Sequence, residues 1–356
     1  MGFFRNRRGA GPNRVGSFSD KQLAAAARQF ALTPVEEISA DEAMAPDPLS
    51  EQAKSAVRAG NWQAGAAYLA DAGRDWAERN RRANALAAEA VEDDAWLLAW
   101  RTARRDDPGA ALVNARSLVD LAWTIRGGGL AGATTREQFD GFHRILAQAR
   151  EAFDAAQALA GDDPCPFIAE LPLAMGLGDP HERFEAIWAE VDKRDPHHVA
   201  AHRTALQYWC AKWRGSHEAA EAFGRAAAAK GRPGQLLSTV VLDAYFEYEI
   251  TDETLNPGTY YQQPHIVAAT DAALTDVAAA HAANPHDRLL PPARHMLGYF
   301  LYWQNRYEEA LEQFRAVDGY AGTTPWSYYG DTAERYAKVR DYCAAQVVAL
   351  RAGAGS

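Results

Sequence analysis

Apolar residues recur at spacings of three and four along most of the chain, and helix-breaking pairs interrupt this pattern at intervals. Such spacing places apolar side chains on one face of an α-helix, whereas the strict alternation of a half-buried strand is rare here. Ala, Leu, Glu, Arg and Gln, which have high helix propensities, dominate the segments between breakers. The sequence therefore predicts an all-α fold.

Several segments begin with an aspartate or asparagine followed by proline. The side-chain oxygen can accept hydrogen bonds from free backbone amides, and proline suits the first helical turn. These pairs are Asp107-Pro108, Asp163-Pro164, Asp179-Pro180, Asp195-Pro196 and Asn284-Pro285. We expect helices near residues 20–31, 49–59, 62–91, 94–105, 109–125, 135–160, 165–176, 181–193, 197–213, 217–230, 235–249, 265–283, 287–303, 306–317 and 325–350.

Composition limits the class and the compartment. The 356 residues are 48% hydrophobic, which excludes a wholly disordered or collagen-like chain. The three cysteines are odd in number and widely spaced, which is typical of a reducing cytoplasm rather than of a disulfide framework. No run approaches the roughly 18 apolar residues that a membrane span requires. We therefore expect a cytoplasmic protein with no membrane span.

The charge is unevenly distributed. The net charge is −10, but residues 1–19 carry four arginines and no acid. The acidic remainder disfavours nucleic acid, since binding to phosphates depends on clustered Lys and Arg. We predict a basic disordered arm at 1–19, a leading helix with an acidic linker at 20–48, and an α-helical repeat domain at 49–356 with an aromatic-rich part at 235–350.

The clearest repeat unit covers residues 293–317. Its pattern is formed by Leu297, Gly298 and Leu301 on the first helix and by Ala310, Phe314 and Val317 on the second. This pattern resembles a tetratricopeptide repeat: it has a small residue, a second small residue twelve positions later, and an aromatic residue four positions beyond that. Physically, Gly298 and Ala310 let the helix backbones approach, while Leu301 and Phe314 fill the gap. The resemblance implies an α-solenoid of stacked antiparallel helix hairpins.

Other segments match this pattern only in part. The same spacing is kept by Ala53, Gly65 and Leu69, whereas the matches are weaker at Leu206, Ala219 and Phe223 and at Trp188, Val191 and Pro196. Gln207 stands where a small residue is expected, and Pro172 interrupts the first half of the unit near 168–196. A degenerate repeat fold is the prediction, and a generic helical bundle is the alternative.

Aromatic residues are concentrated in the last third. Twelve of the fourteen tyrosines lie between Tyr245 and Tyr342. Tyrosine is enriched at binding surfaces because it joins an apolar ring to a polar tip. The resemblance implies an inner face that holds a peptide or a helix, and the predicted partner-binding residues are His295, Tyr299, Tyr302, Trp303, Arg306, Tyr260, Tyr261, Trp326, Tyr328 and Tyr329. The alternative is that these rings pack as core between neighbouring repeats.

Histidines offer an enzymatic alternative. His198 and His202 lie four apart on one predicted helix face, where two imidazoles can bind a metal ion, with His217 as a possible third ligand. The metallopeptidase form needs a glutamate beside the first histidine, but Val199 occupies that position. Exposed histidines at a helix start are therefore the favoured interpretation.

Taken together, these patterns predict a non-catalytic adaptor that binds a protein or peptide partner through an aromatic-lined groove in its C-terminal third. His295 and Arg306 would supply polar anchoring. We predict no cofactor and no catalytic residue. The alternatives are a helical enzyme with a metal site near 197–217 and a structural subunit of a cytoplasmic assembly.

Overall fold

The computed structural model describes residues 18–127 and 135–354, so most of the predicted basic arm lies outside it. Within these ranges the chain forms α-helices and no strand, with one isolated bridge between Ser39 and Tyr320, which confirms the all-α prediction. No helix in these ranges combines the length and apolarity needed to cross a membrane. The helices are α1 (Asp20–Gln29), α2 (Pro48–Arg58), α3 (Trp62–Asp71), α4 (Trp76–Glu92), α5 (Ala95–Ala103), α6 (Pro108–Arg126), α7 (Arg136–Ala158), α8 (Cys165–Leu177), α9 (His181–Arg194), α10 (Val199–Trp209), α11 (His217–Lys230), α12 (Val240–Thr251), α13 (Pro257–Tyr260), α14 (Pro264–Ala283), α15 (Leu290–Trp303), α16 (Tyr307–Arg315) and α17 (Thr332–Ala354).

Of the five predicted aspartate–proline and asparagine–proline starts, only Asp107-Pro108 begins its helix by side-chain capping. Asp107 accepts hydrogen bonds from the backbone amides of Gly109 and Ala110, at 2.9 and 3.2 Å. Asp179 differs, because its carboxylate does not cap α9 but forms an ion pair of 2.8 Å with Arg150. An aspartate before proline therefore marks the approximate position of a helix start, whereas the capping bond itself is made at only one of these five pairs.

One predicted helix is divided in two. The sequence predicts a continuous helix over 62–91, but α3 ends at Asp71 and α4 begins at Trp76. Gly73 lies between them with φ of +55°, a left-handed conformation that ends a helix at little cost only in glycine. Asp75 then caps α4 by accepting from the amide of Glu78. The apolar spacing runs through this turn, which is why periodicity alone does not reveal it.

The chain divides into two compact units. The middle unit is Pro46–Ala220, and the terminal unit combines the chain up to Ala45 with the chain from Glu221 onward. The division differs from the predicted one, since the terminal unit takes in most of the acidic linker and the predicted repeat domain is split inside α11.

Tryptophan rings fill the core where α2, α3, α4 and α5 of the middle unit meet. Trp100 is stacked between Trp62 and Trp96, with ring centroids 6.3 and 6.5 Å away. The helices of the α2–α3 pair lie close together, because a Cβ added to Gly65 would stand 2.7 Å from Cγ1 of Val57. The small residue predicted at this position is thus a contact point between two adjacent helices.

The terminal unit contains the helix pair predicted from the clearest repeat. Helices α15 and α16 pack side by side, and Ala310 and Leu301 are fully buried. A Cβ added to Gly298 would overlap the ring of Phe314, so only glycine permits this approach. This matches the prediction that Gly298 and Ala310 let the two helix backbones approach, with Leu301 and Phe314 in the gap.

Long-range hydrogen bonds join the segment after α1 to the C-terminal part of the same unit. The amide of Thr33 donates to Asp318 at 2.7 Å, and the guanidinium of Arg340 donates to Asp318 and to the carbonyl oxygen of Thr33 at 2.5 and 2.9 Å. Ser39 exchanges backbone hydrogen bonds of 3.0 and 2.8 Å with the segment 319–321. The stretch predicted as an acidic linker is therefore, up to its last few residues, an ordered part of this unit.

Candidate functional site

Eight of the ten predicted partner-binding side chains are buried in the terminal unit. His295, Tyr261 and Trp326 have no exposed surface at all. The other buried members are Tyr260, Tyr299, Tyr302, Trp303 and Tyr329, whereas Arg306 and Tyr328 are half-exposed. Direct contact between the eight and a partner would require the unit to open, and their part in binding stays a prediction.

The buried rings pack mainly edge to face. Tyr299 lies 5.7 Å from Tyr261 at 88° and 5.6 Å from Trp326 at 79°, while Tyr261 lies 4.6 Å from Phe300. Such pairs each add about 0.5–1.5 kcal/mol beyond the burial of their area. The arrangement is that of an aromatic core, the alternative that the sequence also allowed.

His295 is an internal hydrogen-bond acceptor in this core. Trp326 donates its indole N–H to Nδ1 of His295 at 3.0 Å. Burial lowers the pKa of His295 to about 3, and the backbone of Ala43 opposes this shift more weakly. The ring is therefore neutral at physiological pH and is not placed to anchor a partner by charge.

The two half-exposed members already have partners within the unit. Arg306 pairs with Asp271 at 2.5 Å and with Glu309 at 2.6 Å, and the hydrogen bond to Glu309 is the main cause that raises its pKa. The hydroxyl of Tyr328 donates to Glu247 at 2.8 Å. A partner that used either group would first have to compete with these bonds.

Two buried glutamates on α12, Glu247 and Glu249, meet tyrosine hydroxyls from other elements. Besides the bond from Tyr328 to Glu247, Tyr299 donates to Glu249 at 3.3 Å and also lies 3.2 Å from the hydroxyl of Tyr329. Burial raises the pKa of Tyr299 well above its usual value, so this phenol is a donor and not a base. Our sequence predictions missed these acids. The available signal was their position in a mostly apolar helix, VVLDAYFEYEIT.

The imidazole nitrogens of His198 and His202, considered as metal ligands, lie within hydrogen-bond distance of backbone groups instead. Nδ1 of His198 accepts from the amide of Ala201 and thereby caps α10, and its Nε2 lies 3.3 Å from the carbonyl oxygen of Trp76. Nδ1 of His202 lies 3.1 Å from the carbonyl oxygen of His198. Both rings are buried, so the expectation of exposed histidines is wrong for this pair, and burial lowers the pKa of His198.

His217, the proposed third ligand, stands at the start of α11 and is half-exposed. Throughout 18–127 and 135–354, no three His, Cys, Asp or Glu side chains come together in an arrangement that could hold a metal ion.

The middle unit has a surface recess with a volume of about 510 Å³, which we call the acidic recess. It is lined by Arg58, Ala88, Glu89, Glu92, Asp93 and Trp96. Arg58 and Glu89 form a two-pronged ion pair, with Nε–Oε2 and Nη2–Oε1 distances of 2.6 and 2.7 Å. Its volume lies within the range of natural ligand sites, roughly 300–1,000 Å³. Glu92 and Asp93 are exposed residues that become part of a concavity because α2 pairs with α4.

Comparison with protein-family models, with curated proteins and with solved structures finds no match to this chain.

Proposed function

We propose that this protein is a non-catalytic helical scaffold of the tetratricopeptide-like type, which binds a protein or peptide partner. The observation that supports it best is the contact of Gly298 with Phe314, where two adjacent helices approach as the repeat pattern requires. A second helix pair, α2–α3, has a comparable close approach at Gly65.

Paired helices of this kind suit a scaffold for a physical reason. Each hairpin buries one face against its neighbours and leaves its other side chains on an extended surface that a partner can contact. The proposed fold is accordingly a stack of hairpins, and the proposed activity is binding by its outward surface.

The burial of the aromatic set supports a contact surface outside the core. The eight enclosed side chains of the C-terminal aromatic set would support the helices from within, so we place partner contact on exposed or half-exposed residues. A groove in the C-terminal third would be formed around Arg306 and Tyr328, after loss of their present bonds.

The test is capture followed by reconstitution. The tagged full chain would be used to capture proteins from extract of its own cell, and each candidate identified by mass spectrometry would be purified and titrated calorimetrically against the purified chain. We expect one candidate to bind saturably at an equimolar ratio. The proposal is wrong if no purified candidate binds, or if the chain alone runs as a large homo-oligomer on a sizing column, as a structural subunit would.

A further inference from the structure

Residues 32–45, which we call the strap, follow α1 and lie against the C-terminal part of the terminal unit. Ser39 in the strap exchanges backbone hydrogen bonds with the segment 319–321. Leu32 and Ile38 are the only buried side chains of the strap, and the others are half-exposed or exposed. Backbone bonds of this kind are a common means of peptide recognition, because any peptide can make them. The strap is therefore an element that a competing segment could replace.

Two nitrogen donors beside the end of the strap have unmet hydrogen bonds. Because Trp326 donates to Nδ1 of His295, this fully buried ring carries its proton on Nε2. The backbone of Ala43 is near enough to act on the ring, but Nε2 forms no hydrogen bond with any residue that the structure describes. The buried Nε of Arg288 forms none either, and its Nη2 reaches the carbonyl oxygen of Ala45 only at 3.4 Å. Buried donors without acceptors are costly, so the strap fits its own surface imperfectly at this end.

The strap has no side chain that meets these donors. Ala43 and Ala45 offer them only backbone groups. The four acidic side chains of the strap are exposed, and Arg288 forms no ion pair with them or with any other residue in the described ranges. Arg288 lies two positions before α15, and the amino end of that helix adds a partial positive charge. A negatively charged acceptor is the chemistry that would complete this surface.

We propose that an acidic peptide segment of the partner displaces the strap and places a carboxylate against Arg288 and an acceptor against Nε2 of His295. This inference rests on the proposed function and adds a contact surface to it. A carboxylate can bond a guanidinium through two charge-assisted hydrogen bonds, whereas the carbonyl oxygen of Ala45 carries no charge. An aliphatic side chain in the place of Ile38 and backbone pairing with 319–321 complete the fit. The strap then acts as a competing ligand within the same chain.

The first experiment supplies the acid in a synthetic peptide. Its sequence is that of residues 32–45 with Ala45→Glu, blocked ends and a fluorescent label. It would be titrated into the full chain carrying Ile38→Asp, which removes a buried anchor of the strap. We expect saturable binding about five-fold or more tighter than that of a peptide with Ala40→Glu, which adds the same charge at an exposed position. Arg288→Gln in the chain should abolish this difference. Equal affinities of the two peptides, or no binding, would overturn the proposal.

A second comparison tests the competition between strap and peptide. The strap of the wild-type chain has a high effective concentration, so we expect the Ala45→Glu peptide to bind wild type about ten-fold more weakly than it binds Ile38→Asp. Val35→Asp, which adds the same charge at an exposed position of the strap, should behave as wild type. Circular dichroism would verify the helices of each variant. If Ile38→Asp does not fold, Ser39→Pro takes its place, because it removes one backbone bond of the strap. Equal affinity of wild type and the released variant would overturn the proposal.

The two proposals fail in different ways. If the purified partner binds Arg288→Gln as tightly as wild type, the strap proposal is wrong and the scaffold function stands. If no purified partner binds the wild-type chain or the released variant, the scaffold function is wrong, whatever the peptides show.

Discussion

The indole N–H of Trp326 donates a hydrogen bond of 3.0 Å to Nδ1 of His295, and both side chains are fully buried. A histidine that accepts at Nδ1 must be neutral and must carry its proton on Nε2. The bond thus joins α15 to the short turn 326–328 by a contact that exists only while the ring is uncharged.

Acid should weaken the fold through His295. Its pKa is about 3 in the folded protein, below the ordinary value of about 6.5. Because the folded pKa is depressed, the contribution of His295 to the free energy of unfolding is fully present above about pH 6.5. It is lost as the pH falls towards the folded pKa, with a slope of at most about 1.4 kcal/mol per pH unit. Urea unfolding measured across this range checks the slope.

His295→Asn provides the comparison, because its side-chain oxygen can still accept from Trp326. We expect this variant to be less stable at neutral pH but to show a shallower pH dependence. His286→Asn, at an exposed position, should keep the wild-type slope. If His295→Asn kept the wild-type slope of unfolding free energy against pH, the pH dependence could not be assigned to His295.

Gly298 should not tolerate a side chain. Alanine favours a helix by about 1 kcal/mol over glycine, but its Cβ would overlap the ring of Phe314, and overpacking of this kind costs about 1–3 kcal/mol. We expect Gly298→Ala to destabilise the protein in thermal or urea unfolding. Adding Phe314→Leu should recover part of the loss, whereas Gly353→Ala, with open space around it, should not destabilise. A neutral Gly298→Ala would argue against the close helix approach.

Arg340 should be the strongest single ion-pair contribution to the terminal unit. Its side chain is 1% exposed and pairs with Asp318 and Asp341. Arg340→Met leaves these carboxylates without their cation, for which we expect a loss of about 3–5 kcal/mol. Hydrogen exchange at Thr33 and Ser39 should also become faster. Arg351 is on the same helix as Arg340, and Arg351→Met, which removes an exposed pair with Glu308 of α16, should cost less than about 1 kcal/mol. Equal losses in the two variants would contradict this ranking.

The features predicted correctly from the sequence are local ones. The helix class follows from periodicity, and the α15–α16 pair follows from Gly298, Ala310 and Phe314, whose spacing reports a contact between neighbouring helices. The contact of Thr33 with Asp318 joins residues 285 positions apart, so local composition gave no sign of it. The acidic, proline-containing stretch predicted as a linker within 20–48 is held by such distant contacts, which its local sequence does not reveal.

The candidate site was harder to predict because a core and a groove use the same residues. Tyr299 and Tyr302 have the spacing of a helix face in either case, and only the elements packed over that face decide whether it is enclosed. Here Trp326 and Tyr329 come from a segment after α16 and cover Tyr299. The acidic recess depends on the pairing of α2 with α4, which the sequence does not encode locally.

The C-terminal tyrosines are enclosed in the folded protein, and ultraviolet titration of tyrosine ionisation measures this enclosure. Burial raises the pKa of Tyr260, Tyr299 and Tyr336, and that of Tyr245 to about 12. Because these folded pKa values are raised, the stability they contribute is complete below about pH 10 and is lost as the pH rises further. Helix content would be followed in parallel by circular dichroism.

We predict that at about pH 11 a group of tyrosines stays protonated while the helices persist, and that these ionise together with the loss of helix. In concentrated guanidinium all fourteen should ionise as one class. The tyrosines are not enclosed if all fourteen ionise near pH 10 while the helix content of the folded protein is unchanged.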